Sequence, residues 1–335
     1  MKTTASRQPN LSNRGFSLVE LMVSVAISMV VVIAASYVYL GTRETQRTLS
    51  EKSFTFESAK FAMDLIGRDI ENAGFYPAIR STTGAMSPNS VSTESYVNPI
   101  TASPPAAYGS IIYGCQALRY LPVTSVCGAH SGTVDSDAMV VNYYSNDSSG
   151  LDIGNRADCL RQDSANDAAT NNITGNVRRN AGHAAAAAAD RPFLAPQKPL
   201  FVSNRYTLSS TTLQVEGQTI NTFSLACNGN GQSTASNTYQ PMIPGIDQLR
   251  FYYLVSDGVN GQYKRANSVT ATEWANVTGV RVCLIARSLQ AARLRGTTSY
   301  SLNDCDGASQ SYTDGIERKV FSQVFALKNK ANVTF

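Results

Sequence analysis

Charge, histidine and catalytic signatures are all scarce in this sequence. Only 16% of its 335 residues are charged, and it has two histidines, His130 and His183. No GxSxG, HExxH, P-loop or GxGxxG pattern occurs, so nothing points to serine-nucleophile, zinc-protease, nucleotide or dinucleotide chemistry. The expectation is a protein that is not an enzyme and holds no cofactor. CxxC is also missing, and the scattered Cys and His residues make a poor zinc ligand set. EF-hand spacing is absent too. Asp135 and Asp137, like Asp147 and Asp152, read as turn and cap residues before calcium ligands. Of the formal net charge of +4, Lys2, Arg7 and Arg14 supply three, leaving 4 − 3 = +1 for the remainder. No basic field remains for nucleic acid, and the pair Arg178-Arg179 reads as solvated surface.

What the chain does have is concentrated at its N-terminus. Residues 1–15, MKTTASRQPNLSNRG, are polar, basic and free of acids. From Phe16 to Leu40 there follows FSLVELMVSVAISMVVVIAASYVYL, whose one charge is Glu20. Twenty-five helical residues span about 37 Å, enough to cross a hydrocarbon core of about 30 Å. The serines inside it can bond to carbonyls of the preceding turn. The basic leader belongs on the cytoplasmic side by the positive-inside rule. An ordinary signal peptide has a shorter apolar region closed by a small-residue cleavage site, which this run does not match. A carboxylate within an apolar span is costly, so Glu20 is a functional candidate that needs a partner. Cleavage between Gly15 and Phe16 would create one: the free α-amine of Phe16, four residues away.

Beyond Gly41 the sequence turns polar but keeps a helical period. Phe54, Phe61, Leu65 and Ile70 predict one apolar stripe, with Arg43, Glu44, Lys60, Arg68 and Asp69 on the other faces. Gly74 and Pro77 are expected to end this helix. A continuous helix over Phe16–Ala73 would hold 58 residues and run about 87 Å. Half of it would lie in a membrane or filament core and half against a sheet. The stretch Arg80–Tyr108 reads as loop. Strands are expected at Gln116–Pro122, Ala138–Tyr144, Leu200–Leu208, Leu213–Ala226, Gln248–Val255, Val280–Ala286 and Val320–Leu327. A long helix followed by many strands, without βαβ alternation, indicates an α+β fold with an antiparallel sheet. Residues 163–199, with six consecutive alanines at Ala184–Ala189, read as an insertion that decorates the surface or contacts a partner. The six cysteines (Cys115, Cys127, Cys159, Cys227, Cys283, Cys305) suit an oxidising compartment, and their number alone leaves 15 pairings open.

The segment Arg14-Gly15-Phe16-Ser17-Leu18-Val19-Glu20 resembles the signal of type IV prepilins and type II secretion pseudopilins. The resemblance implies peptidase cleavage between Gly15 and Phe16, N-methylation of Phe16, and a subunit-docking role for Glu20 as the fifth mature residue. The domains would then be a cleaved leader (1–15), a transmembrane and filament-core helix (16–40), its amphipathic continuation (41–74) and an extracytoplasmic head (75–335). Three further stretches look like the PilW group of minor pilins. They are Ala59–Tyr76, Asp158-Cys159 with Leu225-Ala226-Cys227, and Arg318-Lys319-Val320-Phe321 with Leu327-Lys328-Asn329. That group usually carries Arg where this chain has Lys328. With the likeness goes an expected pairing of Cys159 with Cys227, alongside Cys283–Cys305 and Cys115–Cys127. It also implies a pilin-like fold, a single-pass inner-membrane protein with a periplasmic head, and later residence at a pilus tip. The implied partners are other minor pilins, the major pilin, the prepilin peptidase and the inner-membrane assembly platform. The implied role is in a priming complex that starts pilus assembly. A J-type pseudopilin of type II secretion is the nearest alternative, and a membrane-anchored adhesin or calcium-binding module a more distant one.

Overall fold

The computed structural model describes residues 17–75, 79–80, 86–87, 111–124, 126–130, 134–145, 158–161, 200–230, 237–290 and 299–329. It divides into two units, Met1–Ser50 and Glu51–Phe335. Helix α1, Leu18–Asn72, begins in the first and ends in the second. The cleavage pair Gly15 and Phe16, the insertion at 163–199 and Pro77 lie outside the described residues.

Over Leu18–Leu40 α1 is apolar on every side apart from Glu20. Leu18 through Leu40 carry exposed large side chains all round the helix, as a segment sheathed by lipid or by neighbouring helices would. Its hydroxyls turn inward to the backbone: Ser24 donates to Glu20 O (2.6 Å), Ser28 to Ser24 O (2.7 Å) and Ser36 to Val32 O (2.7 Å). Each small polar group is thereby satisfied within the helix, the condition for placing it in hydrocarbon.

Among the described residues the second unit has fifteen strands. β1 (Ile79–Arg80) and β2 (Met86–Ser87) form a minimal ladder within the stretch expected to be loop. β3 (Ile112–Cys115) precedes the small hairpin β4 (Arg119–Leu121) and β5 (Val126–Gly128). β6 (Ala138–Ser145), β7 (Leu200–Val215), β8 (Gln218–Asn228) and β9 (Gln240–Pro244) complete a five-stranded antiparallel sheet ordered β3-β6-β7-β8-β9. β10 (Ile246–Ser256), β11 (Gly261–Lys264) and β12 (Val277–Arg287) follow. The hairpin β13 (Tyr300–Asn303) and β14 (Ser309–Tyr312) comes next, then β15 (Arg318–Ala326). The second sheet, also antiparallel, runs β11-β10-β12-β15. This is an α+β, pilin-like architecture of a long N-terminal helix packed on antiparallel sheets.

One expected strand, Leu213–Ala226, is in fact the tip of a hairpin. Glu216 (φ 51°) and Gly217 (φ 79°) turn the chain between β7 and β8. Two residues in the left-handed region form the tight turn whose twist matches the flanking strands.

The face that α1 buries also differs from the expected stripe. Phe61 is 70% exposed and Phe54 and Leu65 are half-buried, while Ile70 alone of the four is fully buried. The buried residues are Thr55, Ser58, Ala59, Ala62, Met63, Ile66, Gly67 and Ile70, with Asp69 among them. Small residues win this face because the helix lies close to the sheets. A Cβ at Gly67 would run into the Phe325 ring. Ile66 and Ile70 join the core with Leu249, Phe251, Val280 and Val282, each contributing about 1.5–3 kcal/mol by leaving water.

Candidate assembly interface

Two features of this structure bear on function: the apolar start of α1 and the joint that fixes its second half to the head. Glu20 lies in the first turn of α1, with its side chain exposed among Leu18, Val19, Leu21 and Met22. Its backbone carbonyl is used by Ser24, and its carboxylate forms no ion pair with any described residue. A helix N-terminus carries partial positive charge, so the first turn is a favourable place for an acid within an apolar segment. α1 is long and apolar enough to cross a membrane.

The joint centres on Asp69, which is buried. Asn204 donates to its Oδ2 at 2.6 Å and Tyr206 to the same oxygen at 2.5 Å. Tyr143 donates to Oδ1 at 3.3 Å. These donors stand on β6 and β7 of the five-stranded sheet, so the carboxyl group ties the helix to two strands. Burial raises the Asp69 pKa above the ordinary carboxylate value, and the Tyr206 and Asn204 hydrogen bonds only partly oppose that rise. The phenols of Tyr206 and Tyr143 are raised well above theirs, first by burial and then by the Asp69 charge. At neutral pH both tyrosines are therefore donors.

Further ties secure the two ends of this half-helix. At its start, the Glu51 carboxylate accepts from the backbone N–H groups of Leu289 (3.0 Å) and Gln290 (3.2 Å). At its end, Lys328 pairs with Glu71 at 2.7 Å, and Asn329 Nδ2 donates to Glu71 O (3.0 Å) and Ala73 O (3.4 Å). Asn329 thus satisfies carbonyls that a helix C-terminus leaves open. Gly74, at φ 72°, ends the helix, and its N–H donates to Asn142 O.

The sequence placed Asp69 on a solvated face, and here the structure corrects it. The signal was present: Asp69 follows Ile66 by three residues and precedes Ala73 by four, on the stripe Ala62, Ile66, Ala73. Nothing in the local sequence named Asn204 and Tyr206, which are more than 130 residues away. Asp135 and Asp137 are not turn or cap residues; both neutralise arginines. Asp135 pairs with Arg250, and Asp137 with Arg265 at 2.8 Å while accepting from the N–H groups of Ala117 and Phe251. Oxygens so engaged are poor cation ligands. Asp147 and Asp152 lie outside the described residues. No cluster of three or more potential metal ligands exists among the described residues.

All six cysteines are paired: Cys115–Cys127, Cys159–Cys227 and Cys283–Cys305. The first links β3 to β5, and the third ties β12 to the loop between β13 and β14. The second joins the described residues beside the insertion to β8.

An apolar N-terminal helix whose second half is locked onto antiparallel sheets defines a type IV pilin-like protein. Two family models match the chain: the prokaryotic N-terminal methylation motif over residues 10–36, and Type IV Pilus-assembly protein W over residues 206–329. No curated protein and no solved structure matches it. Together the two matches support a PilW-type type IV pilin. The PilW match opens at Tyr206, a donor to Asp69, and closes at Asn329, the cap of α1.

Proposed function

We propose that this minor pilin belongs to a priming complex that initiates a type IV pilus and remains at its tip. The observation that carries the reading is the combination, in one chain, of the methylation motif at 10–36 and the pilus-assembly match at 206–329. Starting a helical filament requires several contacts to form at once. A preassembled seed of minor subunits removes that entropic cost. On this reading prepilin peptidase cuts between Gly15 and Phe16, and Phe16 is methylated. The helix then anchors the subunit in the inner membrane, with the head in the periplasm, until the assembly platform extrudes it. Glu20 docks the subunit by meeting a neighbour's N-terminal amine in apolar surroundings, where a charge needs a partner.

Deleting the gene should sharply reduce surface pili while the major pilin is still made, processed and stored in the membrane. Blocking retraction should partly restore pili, because slow unassisted nucleation then accumulates filaments. Glu20→Ala should insert normally, co-purify poorly with other minor pilins and reduce piliation. Sheared pili built mainly of this chain would make it the major subunit instead. Intact piliation with failed enzyme export would identify a pseudopilin of type II secretion.

A further inference from the structure

The sheet β11-β10-β12-β15 has one face turned to α1, carrying Phe321 and Phe325, and one turned away. Register places Tyr252, Arg281 and Val324 side by side on the outward face, on β10, β12 and β15. Leu254 and Tyr263 pair directly beside them. The Arg281 guanidinium lies over the Tyr252 ring, 4.1 Å from its centroid, and 5.2 Å from that of Tyr263. Val324 is 53% exposed and Tyr263 40%.

The arginines around it are neutralised. Arg250 pairs with Asp135 and Asp306, Arg265 with Asp137 and Asp306, Arg287 with Asp247, and Arg318 with Asp247 and Asp314. Arg281 forms no ion pair with any described residue. Its Nε is shielded from water without a hydrogen-bond partner there. The nearby carboxylate of Asp306 is already shared by Arg250, Arg265 and the Tyr252 hydroxyl. A guanidinium pre-ordered on two aromatic rings has little further entropy to lose on binding, and its fork fits a carboxylate with two bonds. Arginine and tyrosine in an apolar setting are also the composition of binding hot spots.

We propose that this outward face docks the head of a different pilin subunit, through an Asp or Glu carboxylate set among apolar side chains that seats on Arg281. The proposal rests on the assembly reading above. A second copy of this chain on a twofold axis through the patch would set Arg281 against Arg281, so the fitting partner is another subunit.

The test is site-specific photocrosslinking of the full chain in its native host. Benzoylphenylalanine is placed at Val324 and, separately, at Val30 in the apolar part of α1. The expected result is a crosslink from position 324 to another pilin subunit, identified by mass spectrometry. Arg281→Glu should lower its yield about tenfold or more, the loss typical of a hot-spot arginine, and leave the position-30 crosslink unchanged. Formation of all three disulfides serves as the folding check, with Tyr263→Ala replacing Arg281→Glu if that variant fails it. Crosslinks from position 30 alone would overturn the docking face and leave the assembly reading standing. Crosslinks from neither position would remove both. A crosslink from 324 to this same chain, or one indifferent to both substitutions, would also refute the proposal.

Discussion

Asp69 is a carboxyl group that the fold protonates more readily than the unfolded chain does. Its pKa is raised by burial, so between the unfolded and folded values the native state holds the extra proton. Linkage then fixes the sign: the stability is fully present below the unfolded pKa and is lost as pH rises through the folded one. Asp69→Asn keeps the shape, offers its amide oxygen to Asn204 and removes the titration. The melting temperature of the variant minus that of the parent should therefore grow from about pH 4, the unfolded carboxylate value, and level off above the folded pKa. Melting curves of the detergent-solubilised full chain across pH measure this directly, and a difference independent of pH would contradict it. Asp137, also raised by burial, is present in both proteins and cancels from the difference.

Among the elements, α1 carries two surfaces of opposite character. Its start presents large apolar side chains all round. Its second half presents alanine and glycine to the sheets, which come close enough that Phe325 occupies the place of a side chain at Gly67. Gly67→Ala should gain about 1 kcal/mol of helix propensity yet lose more by displacing the ring, since overpacking a core costs about 1–3 kcal/mol. The expected net effect is a destabilised head, read as a lower melting temperature. Gly67→Ala combined with Phe325→Leu should recover part of the loss. If Gly67→Ala alone raised the melting temperature, the close approach would not hold in solution.

For the whole molecule, processing and oxidation are read in one measurement. The mature chain should start at a methylated Phe16 and number 335 − 15 = 320 residues, and it should contain no free thiol. Intact mass before and after reduction, with non-reducing peptide mapping, checks all of this; retained Met1 or six alkylated cysteines would refute it. The bond Cys159–Cys227 spans 68 residues, the longest separation of the three. In the chain-entropy model its loss costs about 4 kcal/mol, so replacing both cysteines with Ser should lower the melting temperature more than removing Cys115–Cys127, which spans 12.

The apolar segment, the helical period beyond it and most strand positions were legible in the sequence, because each depends on residues near one another in the chain. Hydropathy adds up locally, and hydrogen bonding of Ser24 to Glu20 O spans a single turn. The two-residue turn Glu216-Gly217 was equally local and was passed over, since the apolar run on either side reads as one strand. Which face of α1 is buried was not legible. Phe61 is the larger hydrophobe, yet a close-packed joint admits Ala62 and Gly67 and leaves Phe61 outside. Asp69 reads in the sequence as a surface charge, and only the fold brings Asn204 and Tyr206 from β7 to it. The sequence by itself determined that this chain carries an N-terminal helix long and apolar enough to cross a membrane, with strands beyond it. Only the tertiary structure decided which polar groups are paired, because pairing a buried charge depends on donors brought together across more than a hundred residues.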